Sequence, residues 1–255
     1  VGVPMWWNTL IGQGLEHVGR ATVGLTGLRH RSVGVDEAVD DPGSGPVVLI
    51  GGFGETAPCL APMTNWLTRV GYDARAYTLG AGMGCSQRTT VSLVRRVRAL
   101  AEEAGEPVRV VGHSRGGQLA RAVGAEAPES VSHVVTIGTP LDMSGTTPAM
   151  AAMLWGFAAA GTMGVPGLYR LGCLTVGACC AGFREALRAP WPAQVALTSI
   201  YSPTDAAVSW RACHVPGARN VEVASGHVAQ LTAAQVQRAV AAALVAAPAP
   251  GTAAA

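Results

Sequence analysis

From residue 46 onward, short apolar runs alternate with stretches whose apolar positions recur at helical spacing. Runs of strand length fall at 46–50 (Pro46-Val47-Val48-Leu49-Ile50), 73–77, 107–111, 133–137, 193–200 and 219–223. Between them, 57–70, 89–104, 115–127 and 228–245 read as helices, several behind a Ser or Thr that suits an N-cap. Strands that are apolar on both faces belong inside a parallel sheet covered by helices on each side. The pattern therefore predicts an α/β domain with about six strands, mostly parallel. Ahead of it, a segment over 1–45 places Trp6, Leu10, Ile11, Leu15 and Val18 on one helical face, read as a packing face, and ends in the turn-rich Asp40-Asp41-Pro42-Gly43-Ser44-Gly45. An Ala/Pro tail over 246–255 is expected to be disordered.

One stretch breaks the alternation. Residues 143–169 carry no charge, and a second uncharged run follows Arg170 as far as Phe183. About 20 apolar residues can span a bilayer, but four glycines and Pro166 punctuate the part between Gly156 and Gly167. The segment is expected instead to be a cap inserted over about 142–192, covering a pocket, with Met150, Met153, Leu154, Trp155 and Phe157 as its greasy wall.

Charge sharpens the chemistry. Charged residues make up 13% of the 255, against roughly 25% in an average domain, and every one of the 18 basic residues is arginine. Without lysine there is no P-loop, no Schiff base and no Ser-Lys dyad. A net charge of +2 offers little for nucleic acid, and the run Arg95, Arg96, Arg98 reads as one solvated helix face. The six cysteines (59, 85, 173, 179, 180 and 213) form no C-x-x-C and no zinc spacing with histidine, and no HExxH occurs, so no metal is expected. Their even number leaves two readings open: disulfides, which suit a secreted or envelope protein, or free buried thiols.

The densest chemical signal is Gly112-His113-Ser114-Arg115-Gly116-Gly117, which fits G-x-S-x-G and lies between a predicted strand and a predicted helix. A serine at such an apex needs a base and an acid. His227, after the last predicted strand, is the candidate base; Asp205, after the fifth, is the candidate acid, with Asp142 as runner-up. His113 should point away from its neighbour Ser114, and His214 precedes the last strand. Two backbone N–H groups, those of Phe53 in Gly51-Gly52-Phe53-Gly54 and of Arg115, are placed to stabilise a developing oxyanion. The glycine loop at 51–54 lacks the third glycine of a dinucleotide fingerprint, so no nucleotide cofactor is expected.

On these motifs, joined by Gly82-Met83-Gly84-Cys85-Ser86, Thr136-Ile137-Gly138-Thr139-Pro140 and Val221-Glu222-Val223-Ala224-Ser225-Gly226-His227, the chain resembles the α/β-hydrolase superfamily, and within it the bacterial lipases and esterases, especially actinobacterial members. The resemblance covers roughly 45–230. It implies an α/β-hydrolase fold and hydrolysis of carboxylic esters through an acyl-serine, without cofactor, on small-molecule or lipid esters and with transient contact to a lipid interface. An acyltransferase or thioesterase would use the same residues, and a silent lipid-binding protein would keep them unused. Gly51 departs from the pattern, since lipases usually carry histidine there, as does Ala206-Ala207 in place of a glycine after the acid.

Overall fold

The computed structural model describes residues 43–78, 82–141, 145–175 and 177–246. The amphipathic face around Trp6, the alternative acid Asp142 and the tail beyond 246 lie outside the described residues. Within them the chain runs β1 (Pro46–Ile50), α1 (Ala57–Arg69), β2 (Asp73–Tyr77), α2 (Ser86–Ala104), β3 (Val108–His113), α3 (Arg115–Glu126), β4 (Val131–Ile137), α4 (Pro148–Thr162), α5 (Leu171–Leu174), α6 (Ala181–Arg188), β5 (Ala196–Tyr201), α7 (Trp210–Cys213), β6 (Arg219–Glu222) and α8 (Ala234–Leu244). The six strands form one sheet in the order β2-β1-β3-β4-β5-β6, with every neighbouring pair parallel.

Period-two alternation divides the apolar side chains between two cores. Val48, Ile50, Val108, Val110 and Val134 face one side, where Leu93, Val97 and Leu100 of α2, Leu119 and Val123 of α3 and Phe183 of α6 cover them. Val47, Leu49, Val111, Val135 and Ile137 face the other, under Leu60, Met63 and Leu67 of α1 and Val236, Val240 and Leu244 of α8. Burial on both faces explains the near-continuous apolar runs of β1 and β3.

The segment between β4 and β5 divides by function. A parallel β4-to-β5 crossover needs a helix on one face of the sheet, and α6 supplies it, burying Phe183 and Ala186 in the first core. The uncharged stretch becomes α4, whose Thr147 N-cap side chain accepts from Met150 N at 3.4 Å. At 15 residues α4 is about 22 Å long. Among the described residues no helix is long and apolar enough to cross a membrane.

Element boundaries moved where caps and the site intervene. Helix α2 starts at Ser86 rather than 89, because Cys85 takes the N-cap. The span 228–245 splits into a 3₁₀ turn, Val228–Leu231, and then α8, since Ala233 is extended (φ −71°, ψ 125°). Leu49 is fully buried at the centre of the sheet; Leu49→Ala should lower unfolding free energy by about 2–5 kcal/mol, read as a reduced urea midpoint at unchanged m-value.

Candidate active site

The site lies at the carboxyl ends of the strands. Strand β3 runs into α3 through Ser114, whose φ of 53° and ψ of −124° make it the one non-glycine with positive φ among the described residues. Its N–H donates to Ile137 O at 2.8 Å, which pins the turn to β4. The flanking glycines are required by space. A Cβ on Gly112 would strike the backbone of Gly116, and one on Gly116 the carbonyl of Ile50. The turn is thereby held sharp enough to present the hydroxyl.

Three predicted side chains meet there. Ser114 Oγ lies 3.0 Å from His227 Nε2, and His227 Nδ1 lies 2.6 Å from Asp205 Oδ2. With Nδ1–H donating to the carboxylate, Nε2 of a neutral ring is left to accept the serine proton. Asp205 stands just past β5 and His227 past β6, although 113 residues separate the histidine from the serine. The carboxylate also accepts from Ala207 N (2.8 Å) and Val208 N (3.0 Å) at Oδ1 and from Gln230 Nε2 (3.0 Å) at Oδ2. Burial pushes its pKa up, but hydrogen bonding and charge from His227, with the two backbone N–H groups, outweigh this and hold the pKa below the ordinary value. Ala207, where the resemblance expects glycine nearby, serves through its main chain.

The two segments that carry the expected N–H donors both adjoin Ser114. Arg115 opens α3, so its N–H has no intrahelical acceptor. The 51–54 loop passes so close that a Cβ on Gly52 would come within 2.9 Å of Ser114 Cβ. Gly52 N–H is committed elsewhere, donating to Glu55 Oε2 at 2.6 Å. Phe53 is next in the loop, and its ring packs edge-on against Phe157 of α4 (centroids 5.1 Å apart) and Tyr169 (6.1 Å). Of the other expected wall residues, Met150, Met153 and Leu154 are half-buried and Trp155 is 44% exposed. The Tyr169 hydroxyl donates to Leu154 O at 2.8 Å, and burial pushes its pKa up to about 12, so it stays a donor.

Sequence reasoning missed a second layer. His113 does point away from Ser114, but into a built arrangement: Nδ1 is 2.6 Å from Glu55 Oε1 and Nε2 is 3.0 Å from the carbonyl of His227. Glu55 thus links the Gly52 N–H, through His113, to the backbone that carries His227. It also bears on the departure at Gly51, since a Cβ there would lie 3.2 Å from Glu55 Cβ and 3.3 Å from Leu60 Cδ1, so any side chain in that place requires Glu55 or Leu60 to shift. The only available signal was an acid immediately after the glycine loop.

Of the two readings left open for the cysteines, the structure has the free thiols. All six are free thiols, and Cys85, Cys173, Cys179 and Cys180 converge, with their sulfurs within 4.8 Å of one another. Such a group could hold a metal ion, although the sequence has no zinc spacing. These ligand atoms come from separate stretches of chain, so linear spacing carried no trace of them.

Residues 46–167 match a family model described as the alpha/beta hydrolase fold. The chain has the α/β-hydrolase fold. Among solved structures it is similar to a metagenome-derived lipolytic enzyme of the LipS and LipT pair (19% identity, TM-score 0.55, covering 79% of this chain and 93% of that one). It is likewise similar to the Bacillus licheniformis lipase BlEst2 (18%, 0.56, 75% and 88%). A third such structure is the 2-hydroxy-6-oxo-6-phenylhexa-2,4-dienoate hydrolase of Rhodococcus sp. strain RHA1 (19%, 0.54, 79% and 90%). At these identities the likeness is one of α/β-hydrolase fold, which hosts many reactions.

The second layer yields a pH prediction. Burial raises the Glu55 pKa, but the hydrogen bond and charge of His113, with the Gly52 N–H, hold it below the ordinary carboxylate value. Glu55 and Asp205 are both depressed in the folded state, so their stabilisation is fully present above the usual carboxylate range and is lost as pH falls through their lowered values. Melting temperature should be flat near neutrality and fall below about pH 4. Glu55→Gln, which breaks a buried pair, should cost about 3 kcal/mol near neutrality and flatten the acid limb in a pH series of thermal melts.

Proposed function

We propose that this protein is a serine hydrolase that cleaves carboxylic esters with apolar acyl groups. The observation that carries the reading is the chain of contacts from Ser114 Oγ to His227 to Asp205, at 3.0 and 2.6 Å, set on a strand-to-helix turn held at positive φ. Ser114 Oγ attacks the ester carbonyl as its proton passes to His227 Nε2. The carbonyl oxygen, now an anion, accepts from the N–H groups of Phe53 and Arg115, while Asp205 holds the imidazolium. Collapse breaks the bond to the alkoxy oxygen, which leaves with the proton from His227. Water repeats the sequence on the acyl-serine and releases the acid.

The apolar preference rests on the cap. Phe157 and Phe53 place aromatic surface beside the proposed oxyanion donor. Exposed Trp155, Met163 and Val165 give the same segment an apolar outer side, which favours contact with water-insoluble esters and a lipid interface.

Ser114→Ala should lower p-nitrophenyl ester hydrolysis by on the order of 10⁴-fold or more and abolish labelling by a fluorophosphonate. Full activity of this variant would refute the reading, and a wild-type chain that resists the probe yet binds liposomes would instead be a silent lipid binder. In a chain-length series, Phe157→Ala should lose about tenfold in kcat/KM on medium acyl chains and little on acetate. Product analysis with added alcohol or thiol acceptors separates hydrolysis from acyl transfer.

A further inference from the structure

The four convergent cysteines come from three places. Cys85 is the N-cap of α2, Cys173 lies in α5, and Cys179 and Cys180 lie in the 3₁₀ turn (Ala178–Cys180) before α6. The Cys85–Cys180 sulfurs are 3.5 Å apart, Cys173–Cys179 3.6 Å and Cys179–Cys180 3.9 Å. A disulfide needs about 2.05 Å. Four sulfurs arranged tetrahedrally at about 2.3 Å from one cation stand about 3.8 Å from each other, and the observed separations bracket that value. An iron–sulfur cluster would interpose its own irons and sulfides and hold the thiolates further apart.

We propose that Cys85, Cys173, Cys179 and Cys180 bind a single structural zinc ion that clips the inserted segment to the core. Four sulfur ligands complete a tetrahedron and leave no open position, the pattern of a structural site. Binding replaces the thiol protons by four Zn–S bonds and releases the protons to solvent. The resulting site carries a net charge of −2, and its surroundings are arranged for that charge. The Arg115 guanidinium is within electrostatic reach of Cys85, Cys173 and Cys180.

The loop between the outer ligands is shaped for convergence. Gly172 and Gly177 approach so closely that a Cβ on Gly177 would collide with the Gly172 backbone. Arg184 ties the same loop by donating to Thr175 O (2.9 Å) and Gly177 O (2.7 Å). Cys85 and Cys180 are buried, whereas Cys173 is half-buried and Cys179 exposed, which gives the ion a way in. The segment is also joined to the core just beside the site, where Tyr169 N donates to Met83 O at 2.7 Å.

The test is metal analysis of the full chain purified under reducing conditions without chelators. One zinc per chain is expected. Cys85→Ser and Cys180→Ser should each lose it, whereas the double variant Cys59→Ser, Cys213→Ser, outside the cluster, should keep it. Because a buried cysteine variant risks unfolding, the unaltered protein supplies a second measurement. After zinc is displaced with a mercurial and the thiols are regenerated, cobalt should give the strong visible bands of a tetrahedral tetrathiolate, saturating at one equivalent and bleached by zinc. Absence of zinc together with absence of these bands would overturn the proposal. So would stoichiometric iron, or a non-reduced mass four hydrogens below the reduced one, which marks two disulfides in the same four residues. None of these readouts involves ester hydrolysis, so they stand or fall apart from the proposed activity.

Discussion

Everything at the site depends on one backbone conformation that an L-residue adopts only under constraint. Ser114 sits at φ 53°, where a Cβ crowds the neighbouring peptide, and such strain persists only where surrounding structure over-determines it. Here β3 and α3 are each locked into the sheet sandwich, and the glycines at 112 and 116 let them meet at close quarters. The hydroxyl is thereby lifted clear of the sheet edge, at the N-terminus of α3, where the helix dipole is positive. The other groups are placed by the same plane of the sheet, since Asp205 and His227 leave β5 and β6 at the edge from which Ser114 projects.

The second layer keeps these groups in register. Glu55 and His113 connect the Gly52 N–H to the His227 carbonyl by two hydrogen bonds to ring nitrogens and one to a backbone donor. Arg115 does comparable work on the other flank. Its guanidinium donates to the carbonyls of Gly82 and Gly84 and to Ser86 Oγ, and lies 5.0 Å from the Tyr169 ring centre. The residue that follows Ser114 thus has its side chain committed to the 82–86 loop and to Tyr169.

What could be read along the chain was whatever repeats with a short period or sits in a contiguous motif. Strand 46–50 was legible to the residue because burial on both faces leaves an uninterrupted apolar run, whereas 73–77, an edge strand of sequence Asp73-Ala74-Arg75-Ala76-Tyr77, kept its expected bounds without one. Ser114 was legible because the elbow demands glycine at two fixed offsets. His227 and Asp205 could be located from strand order alone, and the structure brings both to Ser114. The cap was visible as missing charge but not as helices, since α4 is apolar nearly all round and so lacks a polar face to set its period. Glu55 with His113, and the four cysteines, were illegible for another reason: their partners are 58 residues apart in the first case and up to 95 in the second, and neither leaves a local pattern.

The separation of 113 residues between Ser114 and His227 also has a meaning in time. At ribosomal speeds of about 5–20 residues per second, roughly 6–23 s pass between synthesis of Ser114 and synthesis of His227. Throughout that interval the nascent chain carries Ser114 without the imidazole that stands 3.0 Å from it in the folded protein.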